Sequence, residues 1–392
     1  MLRVVRLVLA VLVSAAALLG AVRLVAPADG DSGVRRQLAF LRQQLESGAA
    51  EDAQRQFPEG YFFLYALYGL TAVDLDRVGD ARWALARLET DAGRAPFAGD
   101  MPLRYGVFYR GWVNWLRGGI LTLERDPAEL SRFEADSAEI AAAFDASPTP
   151  FLASYPGRAW PVDSTVAMAS LRLHDKLLTP AYDATVIRWV ANVEARLDPA
   201  TGLMPHTADA DTGAPTSGAQ GTSQSIIQRF LAEIDPSFAR PQYDLFRRWF
   251  LAAPLGLGPT VREHPVGTDG PSNVDSGPLV LGVSLSATVV TIGAAKLQGD
   301  ESLADGLANF GEVAGLAIYT PGTKRYALGA APIGDAFLAW SKTARLWVSD
   351  DYSSPKRQIS VWWRLPLLAL FLAAGVAPWL VRAMWRRRSS ML

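Results

Sequence analysis

The 392-residue chain is half hydrophobic and only 20% charged, so it is neither a disordered nor a collagen-like polypeptide. Its 38 Lys and Arg balance 39 Asp and Glu, which leaves no basic field to hold a phosphate backbone and excludes nucleic acid as an expected partner. With no cysteine there are no disulfides, thiolate metal sites, iron–sulfur clusters or thiol nucleophile; three histidines leave little for a metal centre, and no cofactor is expected.

In chain order, Leu7 to Val22 is an uncharged apolar run preceded by Arg3 and Arg6, the form of an export signal or signal anchor. Ala26 and Ala28 form a small-x-small pair, but Arg23 and Leu24 interrupt the cleavage region, so residues 1–28 read as an uncleaved anchor. Residues 29–355 follow as one domain in which the helical period dominates, as in VRRQLAFLRQQL, ARWALARLET and ATVIRWVANVEARL. Start and stop signals predict about twelve helices, beginning near Gly33, Gly60, Arg77, Arg104, Asp126, Val162, Pro180, Gln220, Ser237, Ser276, Glu301 and Pro332. Leu365 to Val381 is again uncharged and carries Trp362, Trp363, Trp379 and Trp385 at its edges, which predicts a transmembrane helix over 362–385 and a basic cytoplasmic tail over 386–392. Flanking basic residues are evenly divided between the two sides. The export-signal form of the N-terminus decides the orientation: both termini inside, the domain outside the plasma or inner membrane.

The links carry the architecture. Those after every second helix are brief (DLDRVGD, ERDP, LLTP, EIDPS, LQGD), as in helix hairpins, whereas those before the even-numbered helices are long and rich in Gly, Pro and aromatics. If odd helices run up outside and even ones return inside, every long loop gathers on one rim of an all-α (α/α)6 toroid. The all-round apolar segments LVLGVSLSATVVTIGAA and PVDSTVAMASL suit enclosed inner helices. An irregular α-bundle or solenoid is the competing architecture.

This hairpin count, size and rim loading resemble the six-hairpin glycosidase-like superfamily, whose members hydrolyse, epimerise or eliminate on sugars at this rim. FPEGYFFLYALYGL is similar to the acidic helix start of inverting cellulase and chitosanase toroids, where a Glu-Gly pair carries the general acid; the likeness stops after Glu59-Gly60. YPGRAWPVDSTVAMASL and NVDSGPLVLGVSLSA look more like the linalool dehydratase-isomerase branch, which the resemblance associates with cysteines that this chain lacks.

Glycoside cleavage needs a protonated carboxyl for the leaving oxygen and an ionised one for water or the anomeric carbon. Glu59 stands among Phe57, Tyr61 and Phe62, surroundings that raise a carboxyl pKa as an acid requires. Asp163 and Asp275 are expected at helix starts, where the dipole favours the ionised form of a base. Ordinary N-capping is the competing reading for both, and a cap is the preferred one for Asp335. Tyr61, Tyr105, Tyr155 and Trp160 are candidate substrate contacts as rings for a sugar face, with Tyr109 and Trp112 further along the same helix. Arg158 and Arg104 suit an anionic substituent, His206 and His264 are candidate proton carriers, and Asp269 is a further candidate contact. His174, mid-helix, reads as structural. The stretch Asp209, Asp211, Gly213 starts like a calcium loop but lacks its third ligand and closing Glu, so no metal is expected. The expected partners are a glycan or small hydroxylated substrate and a lipid bilayer; the alternatives are a lyase or isomerase on a small alcohol, and a non-catalytic ligand-binding or envelope-assembly module.

Overall fold

The structure, a computed structural model, describes residues 2–349 and 357–389; the end of the expected domain at 350–355, Lys356 and residues 390–392 of the expected tail lie outside the described residues. The helices are α1 (Leu2–Val25), α2 (Asp31–Glu46), α3 (Ala49–Gln56), α4 (Gly60–Asp74), α5 (Val78–Leu88), α6 (Asp91–Arg94), α7 (Gly106–Leu123), α8 (Pro127–Ala146), α9 (Pro161–Leu177), α10 (Asp183–Glu194), α11 (Gly221–Ile234), α12 (Pro236–Phe250), α13 (Leu285–Leu297), α14 (Glu301–Ala314), α15 (Pro332–Lys342) and α16 (Arg364–Ser389).

Helices α4, α7, α9, α11, α13 and α15 pack each against the next, and α15 packs back on α4, closing an inner ring. Outside it stand α2 with α3, then α5, α8, α10, α12 and α14, each against its hairpin neighbour. This is an (α/α)6 toroid. The short links are helix hairpin turns as expected, and Asp126, Asp235 and Asp300 in them each accept hydrogen bonds from the first turn of the outer helix that follows. Inner helices are buried on nearly every side, and in α4 every residue but Phe63 is buried. Close approach needs small residues. A Cβ at Gly111 of α7 would lie 2.9 Å from the backbone nitrogen of Ala167 in α9.

Aromatic rings fill the bore. Phe63 lies 5.5 Å from Phe337 and 5.8 Å from Trp112, and Trp112 lies 5.6 Å from Trp340 and 5.7 Å from Phe230. Beyond this plug, the end where inner helices finish is sealed by the chain after α15. There the Trp347 indole donates to Asp74 at 2.9 Å, and Glu233 accepts from the backbone N–H groups of Trp347 and Val348, each at 2.9 Å.

At the opposite end, the rim, the long links form small antiparallel ladders. Strand β1 (Arg158–Ala159) pairs β2 (Thr207–Asp209), which pairs β3 (Pro215–Ser217); β4 (Leu251–Ala252) pairs β5 (Thr260–Val261), and β6 (Ile318–Tyr319) pairs β7 (Lys324–Arg325). The tenth expected helix is corrected here. It begins at Leu285, not near Ser276, because Gly277, Leu281 and Gly282 adopt φ of 61°, 52° and 77°, outside the helical region, and Ser284 supplies the cap by accepting from Ala287 N–H.

Two apolar stretches, Val4–Val25 within α1 and Val361–Met384 running from the turn before α16 into it, are long enough to cross a membrane, with mean hydropathies of 2.4 and 1.9 and almost no burial. They pair antiparallel: Ser14 donates to the Gly375 carbonyl at 2.7 Å, the Trp379 indole donates to Ser14 at 2.8 Å, and Gly20 faces Phe371. Helix α16 continues through Ser389, so Arg386 to Arg388 extend a helix; their side chains and that of Trp385 lie outside the described residues. The pair roots beside α14. Ile359 N–H donates to Ser302 in the first turn of α14, Trp363 meets Phe310 further along, and Asn309 donates to the Leu24 carbonyl. Leu19 lies beside Ala317 to Tyr319, beyond the end of α14. The pair therefore leaves the toroid at the rim end.

Candidate active site

The rim brings Glu59, Tyr155, Asp163 and Asp275 within one electrostatic neighbourhood, with His206 against Asp275. Asp163 occupies the third position of α9, after Pro161 has set the first turn, yet its carboxylate does not cap that helix. It turns back to the preceding loop, where Ser154 Oγ donates to Oδ2 at 2.6 Å and itself accepts from the Trp160 N–H at 3.2 Å. Asp163 is only 5% exposed. Burial pushes its carboxyl up to about 7; the Ser154 bond pulls the other way, and the charges of Asp275 and Glu59 push further. The Trp112 indole N–H, buried and without a hydrogen-bond partner, lies close enough to Asp163 to favour its charge. Desolvation outweighs the helix dipole, so the expectation of a base-like, ionised Asp163 is corrected to a carboxyl that holds its proton near neutrality.

Glu59 is the residue before α4 and likewise caps nothing. Its Oε1 accepts the phenolic hydrogen of Tyr155, whose ring lies 6.0 Å from Phe97 in a stacked arrangement and 5.4 Å from Trp160 edge-on. Burial and the Glu59 carboxylate raise the Tyr155 pKa far above the ordinary phenol, so Tyr155 remains a donor.

Asp275 does not sit on a helix, which removes the dipole expected to ionise it. It belongs to the turn before α13, held by Ser286 Oγ donating to its carbonyl at 2.7 Å and by Asn273, which donates to Gln220 at 2.8 Å and accepts from Ser276 N–H at 2.8 Å. Its side chain is half exposed, but the walls of the cleft and then the Glu59 charge push its carboxyl up to about 6. His206 Nε2 stands 4.0 Å from Asp275 Oδ2, and its Nδ1 is 2.5 Å from Ser223 Oγ. Burial, followed by the neighbouring His264 charge, lowers the His206 pKa to about 4, so the ring is neutral at physiological pH.

The other expected contacts scatter. Tyr61 is buried with its ring 4.8 Å from Tyr65, which packs on Trp83 of α5; it belongs to the wall, not the cleft, a correction that follows from its helical phase. Tyr105 stands on the rim in the left-handed region with φ of 70°, beneath the guanidinium of Arg104 and near Tyr109. Arg158 is exposed on β1. His264 is tied to its own loop through the Pro271 carbonyl at 3.0 Å, and Asp269, 93% exposed, pairs with Arg262 at the surface, which takes it out of the cleft. His174 meets Asp175 and Tyr182 in a structural setting. Asp335 bonds the Tyr326 N–H and Gln37, not its own helix start, which corrects the cap reading. In the calcium-like stretch, Asp209 spends its carboxylate on Asp211 and Thr212 of its own turn. No cluster of three or more metal-ligating side chains occurs among the described residues.

Glu263 escaped the sequence reading. Fully buried beside β5, it accepts from both the Thr222 N–H and hydroxyl at the start of α11, and burial pushes its carboxyl up to about 7, with the Asp275 charge adding to it. Ser154 and Ser223, which hold Asp163 and His206, carry no sequence signal beyond their place in rim segments.

The closed double ring with its acidic rim defines the class as an all-α six-hairpin toroid. Among solved structures the chain is similar to an unsaturated glucuronyl hydrolase from Bacillus sp. GL1, described as responsible for glycosaminoglycan degradation, at 13% identity and a TM-score of 0.44 over 72% of this chain and 84% of that one. No protein-family model matches the sequence, and no curated protein does.

Proposed function

We propose that this protein is a membrane-anchored, extracytoplasmic toroid that acts on a glycan or related hydroxylated substrate by carboxylate acid–base chemistry. The observation that carries the reading is Asp163: buried, positioned by Ser154, with its carboxyl near 7 and two further carboxyl groups in its field. In hydrolysis, Asp163 gives its proton to the glycosidic oxygen as the bond to the anomeric carbon breaks. Asp275, with its lower pKa and solvent access, takes a proton from the attacking water. Glu59, bonded to Tyr155, carries negative charge towards the same space and favours the developing oxocarbenium ion. Tyr155 and Trp160 supply faces for a sugar ring. His206 is a neutral hydrogen-bonding group beside Asp275.

A lyase or isomerase on a small alcohol is the second reading, favoured by the aromatic plug of Phe63, Trp112 and Phe337 beneath the acids. A screen of glycans and small alkenols with the full-length protein, repeated with Asp163→Asn and Asp275→Asn, tests both. Turnover that survives either substitution at the original rate sinks the assigned roles; ligand binding without turnover across the screen favours a binding module.

The anchoring part rests on α1 and α16, with the export-signal form of the N-terminus setting both termini inside. Resistance of the chain to alkaline extraction from membranes tests it; release into the soluble fraction refutes it.

A further inference from the structure

A second cavity, of about 640 Å³, lies outside the cleft, where the last turns of α1 meet the corner between α14 and β6. That volume suits a small-molecule headgroup. One wall is apolar and belongs to the anchor: Leu19 and Val22, each about half exposed. The other wall is polar. Tyr319 presents its ring to three cations, with Arg23 at 5.1 Å, Arg36 at 5.7 Å and Lys324 at 4.7 Å from the centroid.

The charges around it do not cancel. Glu312 is bound by Lys324 at 2.7 Å and Lys342 at 2.5 Å, and also accepts from the Tyr319 hydroxyl at 2.7 Å and the Tyr326 hydroxyl at 2.5 Å. Asp29 is shared by Lys324 at 3.3 Å and Arg36 at 3.4 Å. Four cations thus meet the carboxylates of Glu312 and Asp29, each already engaged, with Asp335 a third carboxyl in the field of Lys324 and Lys342. Arg23 lines the cavity and forms no ion pair among the described residues. A guanidinium at the end of an apolar helix, facing a cavity whose other wall carries Tyr319 with Asp29 and Glu312, both carboxylates already bound by Lys324, Lys342 or Arg36, suits an amphiphile that joins acyl chains to a phosphodiester.

We propose that this cavity binds the headgroup of an anionic phospholipid, its phosphate against Arg23 and its chains along Leu19 and Val22. The site rests on the reading of α1 as a membrane helix and is independent of the glycan chemistry. The test uses the full-length protein in neutral detergent and follows thermal unfolding with added phosphatidylglycerol, phosphatidylcholine or inorganic phosphate at matched ionic strength. Phosphatidylglycerol should raise the melting temperature by several degrees more than phosphatidylcholine, and inorganic phosphate should have no effect. Arg23→Gln should abolish the difference. Ala26→Trp, which fills the cavity and leaves every charge in place, should abolish it too and covers the case in which the Arg23 variant is poorly folded. Equal stabilisation by the two lipids, or a phosphatidylglycerol gain retained in Ala26→Trp, overturns the site. Stabilisation by inorganic phosphate alone makes it a free-anion site and overturns the lipid assignment. Alkaline extraction, read separately, reports on the membrane assignment alone.

Discussion

Tyr155 donates its hydroxyl hydrogen to Glu59 across the rim, joining the loop after α8 to the residue that opens α4, 96 positions earlier in the chain. Removing the hydroxyl in Tyr155→Phe keeps the ring contacts with Phe97 and Trp160 but frees the carboxylate. A hydrogen bond to a charged group contributes about 1.5–3 kcal/mol, and the site is only partly buried, so the loss should fall near the low end. Chemical denaturation measures it; an unchanged midpoint refutes the stabilising role of the pair.

Asp163 makes stability fall with rising pH. Its folded carboxyl lies near 7, above the ordinary value of 3.8, so the native state holds a proton that the unfolded chain has released between those limits. Stability from this group is intact below about pH 4 and declines through pH 7, after which the penalty is constant. Asp163→Asn, which still accepts from Ser154, should flatten the decline and melt above wild type at pH 8. Parallel melting curves for the two proteins across pH 4–8 would sink this account.

Turnover of a hydroxylated substrate should peak in a narrow window. Activity falls below about pH 6 as Asp275 gains a proton and above about pH 7 as Asp163 loses one. Asp163→Asn should lower kcat by about 10²–10⁴-fold on substrates with poor leaving groups, the contribution typical of a general acid. It should cost far less on an aryl glycoside that needs no protonation. Equal losses on both substrates would assign Asp163 to positioning.

The packing of α7 on α9 leaves no room at Gly111. Gly111→Val sets a side chain against Ala167 and should cost about 1–3 kcal/mol or more, since the atoms it meets, the Ala167 nitrogen, Cα and Cβ, cannot swing aside. Urea unfolding gives the value; wild-type stability would show that the helices part easily.

For topology, a tag placed after Leu392 should be shielded from protease added to intact cells or spheroplasts, while the toroid is digested. A digestible tag beside a protected toroid inverts the orientation.

The toroid was legible because its information is local. EIDPS and LQGD mark a brief turn with a helix on either side, and the turns fall there, each closed by its Asp as the cap at Asp235 and Asp300. Asp275 was harder: PLVLGVSL has helical hydrophobic spacing, but Gly277, Pro278 and Gly282 break it, and those breakers outweigh the pattern. Tyr61 was misread because proximity to Glu59 in sequence puts it on another face of α4. Glu263 was invisible for the opposite reason, since its partner Thr222 is 41 residues away and only the folded rim brings them together. The raised carboxyl of Asp163 likewise depends on tertiary burial, which reverses the expectation drawn from its place in the first turn.

The root of α1 and α16 at the rim end of α14 bears on how the protein is supplied. With the pair in a bilayer, the mouth of the toroid is turned towards the lipid surface and its sealed end points away. Material diffusing from the bulk must approach edgewise through the gap between mouth and membrane, whereas a chain hung from the membrane has its attached end already at the height of the acids. Under the proposed anchoring, tethering would do more than retain the protein: it would sort substrates by where they are rooted, and lengthening the links at Pro27 to Gly30 and before Val361 should relax that sorting without altering the site.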